Sequence, residues 1–261
     1  MFAKLTFAKK CSVKPKYIMQ PRGVAAVRVG KFHTQVVEIR NARAQKHAMT
    51  LDENGFQLMR HRLEVPSDLT DEQVSETLAL TVENYLINKL GALQVRLFDH
   101  TVRSSSPDSA SRGTANHVHN DFTEKSFHER LSTLDLDNLG KRAVQLNLWI
   151  PLTEPVVTAP LTILDGTSLL TDDLIACDLE YPDRMGEIHE LAYNPLQLWY
   201  YYPAMLMNEA LLFKGYDTMT DGRVRYAPHS AFKHPEEGPH SPIRRSIEFR
   251  AIATFMDKGS S

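Results

Sequence analysis

The sequence predicts a mainly β domain, closed as a sandwich or barrel with helices on its flanks, and three observations predict it. Beyond Gly91, six to eight short runs rich in β-branched and aromatic residues follow one another. Turn-forming residues separate these runs, the pattern of an all-β sandwich or barrel, for which a jelly roll is one closure. The strongest helical period is confined to residues 71–90.

Residues 1–66 read as strands and turns. Val24–Val29 and Thr34–Ile39 are β-rich runs split by Gly30, and Asp52-Glu53-Asn54-Gly55 is a turn signal before a short strand at Phe56–Met59. The helix is expected over Asp71–Leu90. Thr70 and Gln73 have capping-box spacing, acids occupy the first turn, and Gly91 stands where a C′ glycine ends a helix. Val74, Leu78, Val82, Tyr85, Leu86 and Leu90 form its apolar face, which needs a sheet to cover it. Leu93–Asp99 alternates as a strand, and residues 104–113 form a serine-rich polar loop. A short helix is expected over Glu124–Leu134 with Thr123 as its N-cap. Further strands are expected at Ala143–Leu152, Leu161–Leu164, Trp199–Tyr202, Glu209–Lys214, Arg223–Tyr226 and Ser246–Phe255. Residues 258–261 read as a disordered end. No internal repeat or linker is visible. The expected organisation is one domain over 1–261, with a β/α elaboration at 1–92 and a core at 93–257.

A chain of 261 residues with 42% hydrophobic and 24% charged residues has the make-up of a soluble globular protein. Its net charge of −2 gives no electrostatic case for nucleic acid or an anionic membrane, and no apolar run reaches membrane-spanning length. Cys11 and Cys177 lack metal or redox spacing and suit a reducing compartment. The basic, acid-free stretch 1–31 has a presequence-like composition, but Pro15 and Pro21 interrupt any long amphipathic helix there. The expected location is the cytoplasm, and the expected partner is a small molecule. Nothing in the chain speaks to an oligomeric state.

The chemistry centres on Val118-His119-Asn120-Asp121-Phe122-Thr123. In an extended segment, His119 and Asp121 point to one side with Cα atoms about 7 Å apart. An imidazole and a carboxylate can then converge on one ion. A second histidine would complete two histidines and a carboxylate, the facial set of non-haem Fe(II) oxygenases. Isolated, the pair is a weak signal. Of eleven histidines, His229 stands out because it ends the run Tyr226-Ala227-Pro228 at a strand end. Arg244 lies on the same predicted strand face as Ser246, Glu248 and Arg250. An arginine turned into a barrel needs an anion, and its fork suits a carboxylate, with the Ser246 hydroxyl beside it. His100 and Arg103 are candidates for the pocket mouth. Asn147, alternating with Trp149, and Arg250 are further candidates for contact with substrate.

With those motifs in place, the chain resembles the CmcJ/AsaB-like hydroxylase/desaturase family of Fe(II)/2-oxoglutarate-dependent oxygenases of secondary metabolism. The resemblance spans nearly the whole chain and includes Asn41-Ala42-Arg43, Phe98-Asp99-His100-Thr101-Val102-Arg103, Tyr181-Pro182-Asp183-Arg184, Pro228-His229-Ser230-Ala231-Phe232 and Arg244-Arg245-Ser246-Ile247-Glu248-Phe249-Arg250. It implies a double-stranded β-helix (jelly-roll, cupin-like) core. It implies that His119, Asp121 and His229 ligate iron, that Arg244 with Ser246 holds the distal carboxylate of 2-oxoglutarate, and that dioxygen is the oxidant. The implied reaction oxidises an unactivated C–H bond of a small molecule by hydroxylation, desaturation or ring closure. An acid-bearing substrate such as an amino acid fits the arginines. Phe122 departs from the tyrosine common among relatives. Some members are labelled methyltransferases, but no Gly-rich loop follows an early strand here as a nucleotide-binding βαβ unit requires.

Two other readings give different expectations. A zinc hydrolase could use the same three ligands, but it leaves Arg244 without a role. A non-catalytic jelly-roll binding protein needs no metal at all.

Overall fold

The structure, a computed structural model, describes residues 1–20, 26–106, 109, 111–136 and 142–256. The chain begins with β1 (Phe2–Ala8), β2 (Lys16–Ile18), β3 (Val27–Val29), β4 (Phe32–Asn41) and β5 (Phe56–Arg60), then α1 (Glu76–Leu90) and β6 (Gln94–Ser104). Next come β7 (His119–Asn120), α2 (Glu124–Thr133), β8 (Arg142–Pro151) and β9 (Leu161–Leu164). A hairpin of β10 (Leu174–Glu180) and β11 (Met185–Leu191) follows. The described strands end with β12 (Trp199–Tyr201), β13 (Glu209–Asp217), β14 (His229–Ala231) and β15 (Arg245–Phe255).

These strands build two sheets. The smaller is antiparallel, in the order β5-β13-β8-β15-β6; the larger runs β1-β4-β12-β9-β14-β7-β11-β10-β2-β3. They face each other as a double-stranded β-helix, the expected mainly β core. Trp149, Leu211 and Phe213 of the small sheet pack on Ile163 and Tyr200 of the large one. The back of the small sheet takes the apolar stripe of α1. Val82 and Leu86, fully buried, meet Val102, Leu146, Leu148, Leu212 and Phe249. Each such side chain contributes roughly 1.5–3 kcal/mol by leaving water.

Three sequence expectations are corrected. The helix starts at Glu76 rather than Asp71. Thr70 and Gln73 do bond (Thr70 N–H to Gln73 Oε1, 2.9 Å), but they cap only a 3-10 turn over Asp71–Gln73. Ser75 is the cap of α1, accepting from Leu78 N–H at 3.2 Å. At the other end, Gly91 adopts φ +63°, as a C-terminal glycine does. Residues 223–226 form no strand, because Arg223 turns back onto Asp221 and Asp52, and Val224 O accepts from buried Lys214 Nζ. The hairpin of β10 and β11 falls where no strand is expected. Val24 and Ala25 of one expected strand, and residues 258–261, lie outside the described residues, as do parts of the 104–113 loop.

Candidate metal and co-substrate site

β14 lies between β9 and β7, and this places His229 directly opposite His119 in register. The two rings stand 4.5 Å apart. Asp121 follows β7 immediately, in the short turn that leads to Thr123, the N-cap of α2. Neighbouring segments brace this turn. Val118 N–H donates to Thr6 O of β1 at 2.9 Å, and Asn120 Nδ2 donates to Phe122 O at 2.8 Å and to Gly215 O at 2.7 Å. As a result, one ligand atom each of His119, Asp121 and His229 lies within 4.8 Å of the others.

Protonation favours a cation there. Each ring approaches a backbone carbonyl through Nδ1: His119 to His117 O at 3.0 Å and His229 to Ala227 O at 3.2 Å. A carbonyl only accepts, so both rings carry their proton on Nδ1 and leave the Nε2 lone pair free. Burial, reinforced by the neighbouring His119, pushes His229 down to about 3, so its imidazole is neutral at neutral pH. Burial alone would raise Asp121. The Arg250 guanidinium, the two histidines and the hydrogen bond from Asn147 outweigh it and hold the carboxyl well below the usual range. Two imidazoles that turn Nε2 to one point and one ionised carboxylate fit a divalent metal of the iron or zinc type.

A small pocket opens beside the triad, lined by Arg103, Trp149, Leu161, His229, Arg244 and Glu248 among others. Arg244 is 2% exposed. Its Nη1 donates to Ala159 O at 2.6 Å and its guanidinium lies 5.6 Å from the Trp149 ring, yet its Nε has no partner among the described residues. Ser246 Oγ, two residues on and equally buried, is also unpartnered. Burial, then the nearby Arg103, pulls Arg244 down to about 9, which leaves it a cation at neutral pH. A buried, half-satisfied cation that lines a pocket fits a bound carboxylate.

The structure brings His119, Asp121 and His229 together and lines the adjoining pocket with Arg244 and Arg103; Ser246 is buried two residues from Arg244 but is not among the lining residues. His100 lies on the opposite face of β6, its Nε2 2.9 Å from Asp71 O, away from the pocket. Asn147 and Arg250, expected against substrate, both bind Asp121 Oδ2 instead, at 2.6 and 3.1 Å. Arg250 is further engaged with Asp99, Thr101 and Glu248. Two further residues near the site have little signature in sequence: His117, whose ring lies 4.9 Å from that of His119, and Glu190, bonded to Tyr17 and raised by burial to about 7. Two residues before His119 is the sole signal for the former. The latter sits on the unexpected strand β11.

Comparison with known proteins agrees with this geometry. A family model described as an oxidoreductase/YMDC permease-like domain matches residues 5–254. The hydroxylase/desaturase efuI of Hormonema carpetanum is 31% identical over 259 residues, covering 87% of this chain and 86% of its own. The Fe(II)/2-oxoglutarate-dependent dioxygenase nvfI of Aspergillus novofumigatus is 28% identical, with 83% and 82% covered. Among solved structures, the iron and alpha-ketoglutarate-dependent endoperoxidase NvfI superposes with a TM-score of 0.80 at 24% identity, over 98% of both chains. That likeness is one of fold. The chain belongs to this hydroxylase/desaturase family, within the Fe(II)/2-oxoglutarate-dependent oxygenases. Among the described residues, no helix is long and apolar enough to cross a membrane.

Proposed function

We propose that the protein is an oxygenase that oxidises a C–H bond of a small acid-bearing molecule. In this reading His119, Asp121 and His229 hold Fe(II), while Arg244 with Ser246 holds the distal carboxylate of 2-oxoglutarate. The observation that supports it most is a metal-ligand triad beside a pocket lined by a buried arginine whose Nε lacks a partner among the described residues. A hydrolase built on the same triad would have no use for that cation.

With both groups and dioxygen bound, the site would supply an oxidant able to take hydrogen from an unactivated C–H bond, at the expense of 2-oxoglutarate, which would be converted to succinate and CO2. The chain's own contribution is placement. The Nδ1–H bonds to backbone carbonyls fix both imidazoles, and the apolar wall of Trp149 and Leu161 limits water. Arg103 is the candidate for the substrate's acid group, since it lines the pocket, its Nη1 donating to Gly113 O at 2.9 Å. Residues 1–261 form one functional unit in this reading, because β1 and β4 extend the sheet that holds the histidines.

The test is succinate release from 2-oxoglutarate by the iron-loaded protein in air. Slow release without substrate, absent in His119→Ala and stimulated by the right acid, is the expected result. Metal-dependent hydrolysis without oxygen would contradict it.

A further inference from the structure

Asp121 sits in a turn with no hydrogen-bond ladder of its own to fix its side chain, yet its Oδ2 has two donors. Both come across from the small sheet, where Asn147 and Arg250 are register partners on β8 and β15. The Asn147 amide is itself oriented: Gln145 Nε2 donates to Asn147 Oδ1 at 2.6 Å, so the Asn147 NH2 group faces Asp121. Gln145 and Asn147 are both fully buried and, two apart on one strand, share a face.

Gln145 is seated in turn by the absence of a side chain. A Cβ built on Gly215 would lie 1.7 Å from Gln145 Oε1. Gly215 is the extra residue of a bulge in β13, between the pairs Lys214–Leu146 and Tyr216–Gln145. Its φ is not in the left-handed range, so space rather than backbone conformation calls for glycine here. The bulge also presents Gly215 O to Asn120 Nδ2, on the residue between His119 and Asp121. Asn147 and Arg250 are not among the residues that line the pocket.

We infer that Gly215, Gln145, Asn147 and Arg250 form a positioning relay that holds Asp121 Oδ2 within the protein and offers Oδ1 alone to the metal. Oδ1 is the oxygen on the His119 side, 3.6 Å from His119 Nε2. The relay rests on the reading of Asp121 as a metal ligand. It assigns Gly215, on a strand that contributes no ligand, an effect on metal affinity through Gln145, Asn147 and Asp121.

The experiment is anaerobic titration of the full chain with Co(II), whose visible spectrum reports ligand geometry, alongside thermal melting. Asn147→Asp keeps the acceptor for Gln145 and, titrated above neutral pH where the new carboxyl is ionised, replaces the donor to Asp121 with a repelling carboxylate. It should weaken Co(II) binding about 10- to 100-fold and alter the spectrum, the usual size of an outer-shell loss. Gly215→Ala should weaken binding comparably by displacing the Gln145 amide. In a Gln145→Ala background, where the space is free, the same change should add nothing, a non-additivity that simple destabilisation does not produce. If Gly215→Ala melts far below the wild type, Asn147→Asp alone decides. Wild-type affinity in Asn147→Asp overturns the relay and leaves the metal reading intact, and an additive cycle removes Gly215 from it. A wild-type chain that binds no Co(II) overturns the metal reading and the relay together.

Discussion

Arg244 and His189 show how burial sets the behaviour of single side chains near the site. Arg244, pulled down only to about 9 and supported by Glu248 and Glu237, retains its charge at neutral pH, whereas His189 loses its own. Burial pushes His189 down to about 4, only partly opposed by its bond to the Phe122 backbone and by Glu187. The sign follows directly. Above the ordinary histidine value of 6.5, folded and unfolded chains are both neutral at this position. Between 6.5 and about 4 only the unfolded chain takes up the proton, so stability falls as pH falls through that window. The slope from this one group is at most about 1.4 kcal/mol per pH unit. Urea unfolding at pH 7, 6 and 5 should show a steeper loss in the wild type than in His189→Gln. Parallel curves would mean the ring titrates normally.

At the scale of elements, α1 separates two N-cap candidates. Ser75→Ala should destabilise the protein by about 1 kcal/mol in urea unfolding, because it removes the acceptor for Leu78 N–H. Thr70→Ala should cost clearly less, since the turn it caps is only Asp71–Gln73. Equal losses would restore the longer helix. Thr70-Asp71-Glu72-Gln73 is a good start signal in isolation, and only the adjacent Ser75 shows where the apolar face of α1 begins. β10 and β11 were illegible for a different reason. Their well-buried apolar side chains are few (Cys177 and Leu191 fully so), leaving little alternation to read. Arg223–Tyr226 erred the other way, as its alternating charges are satisfied by ion pairs rather than by a sheet. The long runs of β8 and β15 were readable because nearly every residue is buried.

Across the whole molecule, the candidate site is a product of the two sheets facing each other. The large sheet supplies His119 and His229, with Asp121 just after β7. The small sheet and the loop entering β15 supply Asn147, Arg250, Arg244 and Ser246. The convergence of His119, Asp121 and His229 was legible because short motifs name residue types that metal binding demands. The support of Asp121 by Gln145 and Gly215 was not, since it depends on a bulge and on which residues face each other across β8 and β13. The same dependence moved Asn147 and Arg250 from substrate contacts to partners of a carboxylate.

The most direct measurement of the central claim is anaerobic addition of Fe(II), then 2-oxoglutarate, to the purified protein while recording the visible spectrum. A weak charge-transfer band should appear only when both are present. His229→Ala should abolish it, and Arg244→Ala should require far more 2-oxoglutarate to reach it. Iron binding with no band at any 2-oxoglutarate concentration would contradict the account of the pocket, and no iron binding would contradict the triad itself.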